Sequence, residues 1–199
     1  MKTTTAQGQK ADEEQAAEFL RKYDLDPVRF NKAEQRDGTK KPDFRVLAPG
    51  GNLLFYCEVK SLTRHADADP IYFSRIADHI NTAVDQFDSV NPRHLHRNVL
   101  FWVCHEWRGT VLDLKAILTG VARDEHGRTI FECPRLSEGK IKEKKTRVDL
   151  HIWLDCDDKA SYVVTSDYYT PLGYCRFVAS IVESFEGRVW RGDKLESPC

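Results

Sequence analysis

Three residues stand where phosphate-ester chemistry would want them: Asp43, Glu58 and Lys60. Two carboxylates held face to face repel each other and favour a cation between them. Mg²⁺ takes oxygen ligands, commonly one or two carboxylates completed by water and substrate phosphate. A lysine on the same face could orient an attacking water, or help to deprotonate it, while a metal lowers that water's pKa. The same residues also fit a plainer arrangement, an exposed Glu58–Lys60 pair on a solvated sheet face with Arg45 neutralising Asp43.

What must position them is a hairpin. Pro42 to Ala48 and Leu53 to Leu62 read as strands joined by Pro49-Gly50-Gly51-Asn52. Pairing Ala48 with Leu53 sets Leu47 opposite Leu54, Val46 opposite Phe55, Arg45 opposite Tyr56, Phe44 opposite Cys57 and Asp43 opposite Glu58. Alternation along each strand then gives one wholly apolar face of Phe44, Val46, Ala48, Leu53, Phe55, Cys57 and Val59. The other face carries Leu47, Leu54, Arg45, Tyr56, Asp43, Glu58 and Lys60. Directly opposed side chains have Cβ atoms roughly 5 Å apart, so this register brings the carboxylates together.

The remaining elements are read from periodicity. A polar first stretch of ten residues is expected to fray. A helix is expected from Asp12, capped by Asp12 with Gln15 as capping-box partner, its apolar stripe Ala16, Phe19, Leu20 and Tyr23. Glu14, Glu18 and Arg21 lie on a different face, and Asp24 to Pro27 ends the helix. Val28 to Gln35 is a short strand or a helical turn, and Arg36 to Thr39 is a turn. A second helix is expected near Ile71 to Val90, buried along Phe73, Ile76, Ile80, Ala83, Val84 and Phe87. An adjacent polar stripe, Arg75, His79, Thr82 and Gln86, follows at helical spacing. Arg97 to Trp107 contains a run apolar on both faces, as in a central strand. Val111 to Leu118 suits a short helix closed by Gly120. Lys140 to Arg147 is expected to be a solvated loop. Val148 to Leu154 and Tyr162 to Thr165 are expected strands around an Asp157-Asp158-Lys159 turn, with a helix at Tyr174 to Phe185 and a loose last dozen residues. The chain is expected to be a single domain, with a core over 12–107, an elaboration over 108–185 and a tail over 186–199.

Composition sets limits. The 199 residues suffice for one α/β domain, and 41% hydrophobic with 31% charged is ordinary for a globular protein. The net charge of −1 gives no support to nucleic-acid binding by bulk electrostatics, though a locally basic cleft is compatible with it. No apolar run approaches a membrane span, and the first residues carry no apolar signal core, so a cytoplasmic location is expected. The six cysteines are scattered without any C-x-x-C pair, which suits reduced thiols. Cys57 and Cys104 fall in apolar strands. The seven histidines show no zinc spacing, and His94-x-His96 is expected in solvent. Trp102 and Trp153 are expected in the core.

At Pro42-Asp43 and Glu58-Val59-Lys60 the sequence resembles the PD-(D/E)XK nuclease superfamily, which includes many restriction endonucleases and Holliday-junction resolvases. The resemblance covers about half the chain. It implies a restriction-endonuclease-like mixed β-sheet flanked by helices, an αβββαβ core, with a C-terminal α+β extension. It further implies that Asp43, Glu58 and the Val59 carbonyl bind Mg²⁺ or Mn²⁺, and that Lys60 is the catalytic lysine. An acidic residue from the first helix often joins such sites. Glu18 is the first choice, with Glu14 in reserve and Glu34 as a further candidate. From the second helix, Gln86 would support the site and Arg75 would meet phosphate. Ser61 and Arg64 are further substrate contacts.

Three functions compete on this basis. The first is a metal-dependent nuclease, with DNA favoured over RNA as partner and endonucleolytic cutting favoured over exonucleolytic. The second is a catalytically inactive module that binds nucleic acid or a protein. The third is a phosphoesterase acting on a small nucleotide, for which no phosphate-cradling glycine loop speaks. The second half would carry substrate choice, a partner site or dimerisation, a homodimer being compatible with the sequence.

Overall fold

The computed structural model describes residues 3–31, 33–34, 38–62, 69–105, 110–124, 126–165, 188–191 and 194–196. Helix α1 spans Thr3–Arg21 and leads into strand β1, Asp26–Arg29. Strands β2, Phe44–Leu47, and β3, Leu53–Leu62, form the hairpin, and helix α2, Asp69–Asp88, returns the chain to β4, Arg97–Cys104. Helix α3, Val111–Thr119, and a small ribbon of β5, Val121–Arg123, and β6, Thr129–Glu132, precede β7, Leu150–Leu154, and β8, Ala160–Val164. The described chain ends with β9, Arg188–Arg191, and β10, Lys194–Glu196. The result is an α/β architecture in which one mixed sheet holds eight strands in the order β1-β2-β3-β4-β7-β8-β9-β10.

Helices cover this sheet on both sides, and the alternation of β3 and β4 sorts their side chains between two cores. Phe55, Cys57, Val59, Val99, Phe101 and Val103 pack with Ala16, Ala17, Phe19 and Leu20 of α1. Leu62, Leu100, Trp102 and Cys104 pack with Ile76, Ile80, Ala83, Val84 and Phe87 of α2, and with Leu114 and Ile117 of α3. A central strand covered twice must be apolar on both faces, which is why Val99 to Cys104 shows no polar alternation. Burying one such aromatic contributes about 1.5–3 kcal/mol. Glu58 and Lys60 lie between Tyr56 and Leu62 on the face turned to α2, so two charged residues interrupt an otherwise apolar layer.

The hairpin register holds where the chemistry needs it. Phe44 pairs with Cys57, Arg45 with Tyr56 and Val46 with Phe55. Beyond Val46 the expectation is corrected: a bulge shifts the pairing so that Leu47 meets Leu53, and Leu54 rather than Leu53 packs against the α1-side core. A bulge inserts one residue and flips the faces that follow it. β2 is also shorter than expected, beginning at Phe44.

Several other expectations are corrected. The first helix starts at Thr3, not Asp12, because Ala6, Gln7, Gln9, Lys10 and Ala11 are good helix formers. Asp12 is therefore no cap but a buried mid-helix residue. The ambiguous stretch contributes a strand, with Val28 pairing Arg45. Lys140 to Arg147 is not a solvated loop. A π-helical turn over Arg135–Lys140 and a 3₁₀ turn over Lys145–Arg147 flank Ile141, which is fully buried. Lys140 pairs with Asp78 at 2.8 Å, Lys144 with Asp85 at 2.5 Å, and Arg147 with Asp88, strapping the segment along α2. The last residues are not loose throughout, since β9 pairs with β8 and β10 with β9. The expected helix over 174–185 lies outside the described residues.

The second helix, the central strand and the Gly120 cap stand as expected. Gly120 adopts φ 83°, a left-handed cap that donates its N–H to the Ala116 carbonyl at 2.8 Å. Cys57 and Cys104 are buried free thiols, and Trp102 and Trp153 are core residues. No helix among the described residues is long and apolar enough to cross a membrane.

Candidate functional site

The site is built where β2 enters the sheet beside the middle of β3. Asp43, one residue before β2, donates its backbone N–H to Glu58 Oε2 at 3.1 Å. The Val59 N–H in turn donates to Asp43 Oδ2 at 2.8 Å. Each carboxylate is thus held by the opposite strand's backbone, and the two acids cannot swing apart. Lys60 Nζ donates to Glu58 Oε1 at 2.5 Å and to Gln86 Oε1 at 3.1 Å. Gln86, reaching down from α2, passes its own Nε2–H to the Lys41 carbonyl at 3.0 Å. Glu58 is 0% exposed, Gln86 2% and Lys60 7%, so the arrangement is largely shielded from water.

Shielding has an electrostatic consequence. Burial, then the neighbouring Glu58 charge, pushes the Asp43 carboxyl up to about 8, against the opposing pull of the Val59 N–H. Glu13 adds to that negative field. Lys60 pairs with Glu58 alone, so a charged Asp43 beside it would add a second buried negative charge that a proton or a cation relieves. Across the site, burial first, then Lys60 and Arg75, hold the His79 imidazole down to about 4, and its ring lies edge-on to Trp102 at 6.2 Å. His79 is therefore a neutral neighbour at pH 7.

The expected residues divide clearly. Asp43, Glu58, Lys60 and Gln86 come together. Arg75 is half-buried and near enough to bear on His79, whereas Thr82 is exposed and turned to the Asp78 carbonyl. Ser61 points to the other side of β3, where its hydroxyl bonds Asp12. Arg64 lies outside the described residues. None of the three acids proposed to join them is the one placed beside Asp43. Glu18 is exposed. Glu14 is exposed and pairs with Arg21 at 2.8 Å. Glu34 pairs with Arg45 at 2.7 Å, which also removes Arg45 as a neutraliser of Asp43.

The helix acid beside Asp43 is instead Glu13, 8% exposed, ion-paired to Arg29 and lining the same cleft. The signal for it was present: Glu13 stands three and four residues before the buried Ala16 and Ala17, on their face of the helix. Asp12 is the second missed residue. Its carboxylate, 4% exposed overall, accepts from Ser61 and meets His105 Nε2 at 2.9 Å. It ties α1 to the ends of β3 and β4 and so fixes Glu13 towards Asp43.

Among the described residues no group of three or more His, Cys, Asp or Glu side chains is arranged to hold a metal ion. Asp43 and Glu58 nevertheless set two hard carboxylates side by side, and Mg²⁺ is commonly held by one or two carboxylates plus water. The donor set fits such an ion and has no soft ligand for zinc. Compared with family models, with curated proteins and with solved structures, the chain matches none of them.

Proposed function

We propose that the protein is a Mg²⁺- or Mn²⁺-dependent nuclease of the PD-(D/E)XK type that hydrolyses phosphodiester bonds in DNA by endonucleolytic cutting. The observation that carries this reading is the cross-strand pair Asp43 and Glu58 with Lys60 bonded to Glu58 at 2.5 Å. The order α1, β1, β2, β3, α2, β4 supports a restriction-endonuclease-like core. Asp43, Glu58 and the Val59 carbonyl would hold the metal, which supplies positive charge to the phosphate and acidifies a bound water.

The chain's own residues do the rest. The Val59 and Asp43 backbone N–H groups keep both carboxylates in place before substrate arrives, avoiding reorganisation during reaction. Gln86 holds the Lys60 ammonium in the site, where it orients the attacking water and stabilises charge growing on the phosphate oxygens. The water oxygen forms a new P–O bond, the bond to the departing sugar oxygen breaks, and the water's proton leaves to solvent as that oxygen gains one.

The test is cleavage of supercoiled plasmid, linear duplex and single-stranded DNA with Mg²⁺ or Mn²⁺. Cutting is expected to be abolished by EDTA and lost in a folded Lys60→Ala variant. Equal cutting by that variant would sink the assignment of Lys60. Absence of both cleavage and metal binding in the wild type would favour a non-catalytic binding module.

A further inference from the structure

Beside Asp43 opens a cleft of about 490 Å³ whose walls include Glu13, Arg29, Phe30, Lys40, Lys41 and Asp43. Three basic side chains there face two acidic ones, in a chain whose net charge is −1. One of the acids, Glu13, is already paired with Arg29. The two lysines sit on a segment that the protein holds down with care. The Lys41 carbonyl accepts from Gln86 Nε2 at 3.0 Å, and the Lys40 carbonyl lies 3.3 Å from Ser89 Oγ, whose single proton has the Gln86 carbonyl nearer at 2.7 Å. Gly38 turns the chain into this segment at φ 74°, a left-handed value that favours glycine.

Two features are informative together. A surface lysine pair needs no anchoring of its backbone, yet this one is held from α2 at Lys41. The anchor is Gln86, the same side chain that holds Lys60. Lys40 is also electrostatically continuous with the buried site, since Lys40, Lys60 and Arg75 all act on His79. A fixed basic segment leading to two carboxylates is what an anionic polymer requires if it is to lie across them.

We infer that this cleft seats the nucleic-acid backbone flanking the bond to be cut, with Lys40 and Lys41 contacting phosphates and Phe30 walling the sugar side. The inference rests on the nuclease reading for its choice of polymer. Phosphate contacts of this kind position the strand without reading sequence. They release counterions on binding, so each contact contributes to the salt dependence of affinity.

The experiment is a fluorescence-anisotropy titration of labelled duplex and single-stranded DNA with the full chain, in EDTA and across a series of salt concentrations. Lys40→Ala/Lys41→Ala is expected to weaken binding by about tenfold or more, equally for unrelated sequences, and to reduce the slope of log K against log[salt] by about 2 for duplex. Lys40→Arg/Lys41→Arg, which keeps both charges, is expected to stay near wild type. If the double alanine variant fails to fold, Lys40→Ala alone carries the test, with a slope change of about 1. An unchanged slope in the alanine variants overturns the inference, as does a wild type that binds neither form of DNA. Thermal shift with Mn²⁺ is measured in parallel and is expected to be equal in wild type and alanine variant. A wild type that shows no metal shift and no cleavage removes the nuclease reading, whereas the salt slope judges the cleft by itself.

Discussion

Among the described residues, the carboxylate site at Asp149 and the one at Asp43 and Glu58 lie at different levels of the same sheet and are resolved in opposite ways. Asp149, 1% exposed, accepts from Arg97 Nη1 at 2.8 Å and from the Asn98 N–H at 2.8 Å, and meets His94 Nε2 at 2.7 Å. Asn98 is in turn bonded to Asn91 at 3.0 Å and to the Arg147 carbonyl at 2.8 Å. One carboxylate is surrounded by donors, and the group is complete. This also corrects the expectation that His94 is merely solvated. At Asp43 and Glu58, two carboxylates face one lysine, and Asp43 is left with a raised affinity for protons. A satisfied polar network fixes a fold. At Asp43 and Glu58 the hydrogen bonds are also made, but two carboxylates are buried side by side, a perturbation of the kind that clusters at functional sites.

The comparison can be broken by four substitutions or titrations of decreasing effect. Lys60→Ala should lower cleavage per folded molecule by roughly a hundred- to ten-thousand-fold, the range for a group that assists proton transfer, and should also cost stability, because it leaves the buried Glu58 without its ion partner. Asp149→Ala should cost stability alone. Chemical denaturation should show a loss of about 2–3 kcal/mol, below the roughly 3–5 kcal/mol of a fully buried pair because Arg97 and His94 keep some access to water. The intrinsic rate per folded molecule should not move. An unchanged rate per folded molecule at Lys60, or a large loss of that rate at Asp149, would erase the distinction between the two sites.

A pH titration sharpens the same contrast. Folded Asp43 keeps its proton to about 8, well above its ordinary value. The folded state therefore binds more protons than the unfolded state between about pH 4 and pH 8. Stability from this group is fully present below that window and declines as pH rises through it. In EDTA, denaturation midpoints should show this decline for wild type and a flatter profile for Asp43→Asn. Added Mg²⁺ should stabilise wild type more at pH 8 than at pH 5, because the ion competes with the proton. A metal effect independent of pH would contradict the coupling. The smallest effect is expected at Lys144→Ala. Its partner Asp85 is exposed, and loss of that pair should cost no more than about 0.5 kcal/mol in the same assay.

The hairpin was legible because two constraints agreed on one register. Strict alternation and a four-residue turn each set Phe44 opposite Cys57, and Asp43 followed opposite Glu58. The slip at Leu47 was not legible, since a bulge changes pairing without changing the apolar pattern near a turn. Gln86 could be found from helical spacing to a buried stripe. Glu13 and Asp12 were missed for one reason: a cap was assigned where a capping residue stood, and this hid the buried phase of the helix upstream. The basic strap over α2 read as solvent because its partners Asp78, Asp85 and Asp88 lie about sixty residues away in the chain. Charge pairing at that range leaves no local pattern.

The irregularity between Val46 and Leu47 has a practical consequence. It divides the hairpin into a base, whose pairing from Phe44 to Val46 sets the carboxylates, and a tip that follows its own register. Gly50 and Gly51 at that tip are exposed but adopt φ 103° and 87°, values that favour glycine, so an attachment belongs on their exposed neighbours Pro49 and Asn52. A misalignment introduced there can be absorbed at the bulge before it reaches Asp43. The tip is thus the natural attachment point for a fluorophore, an affinity tag or a grafted loop, a handle from which the protein can be watched or tethered without moving Asp43.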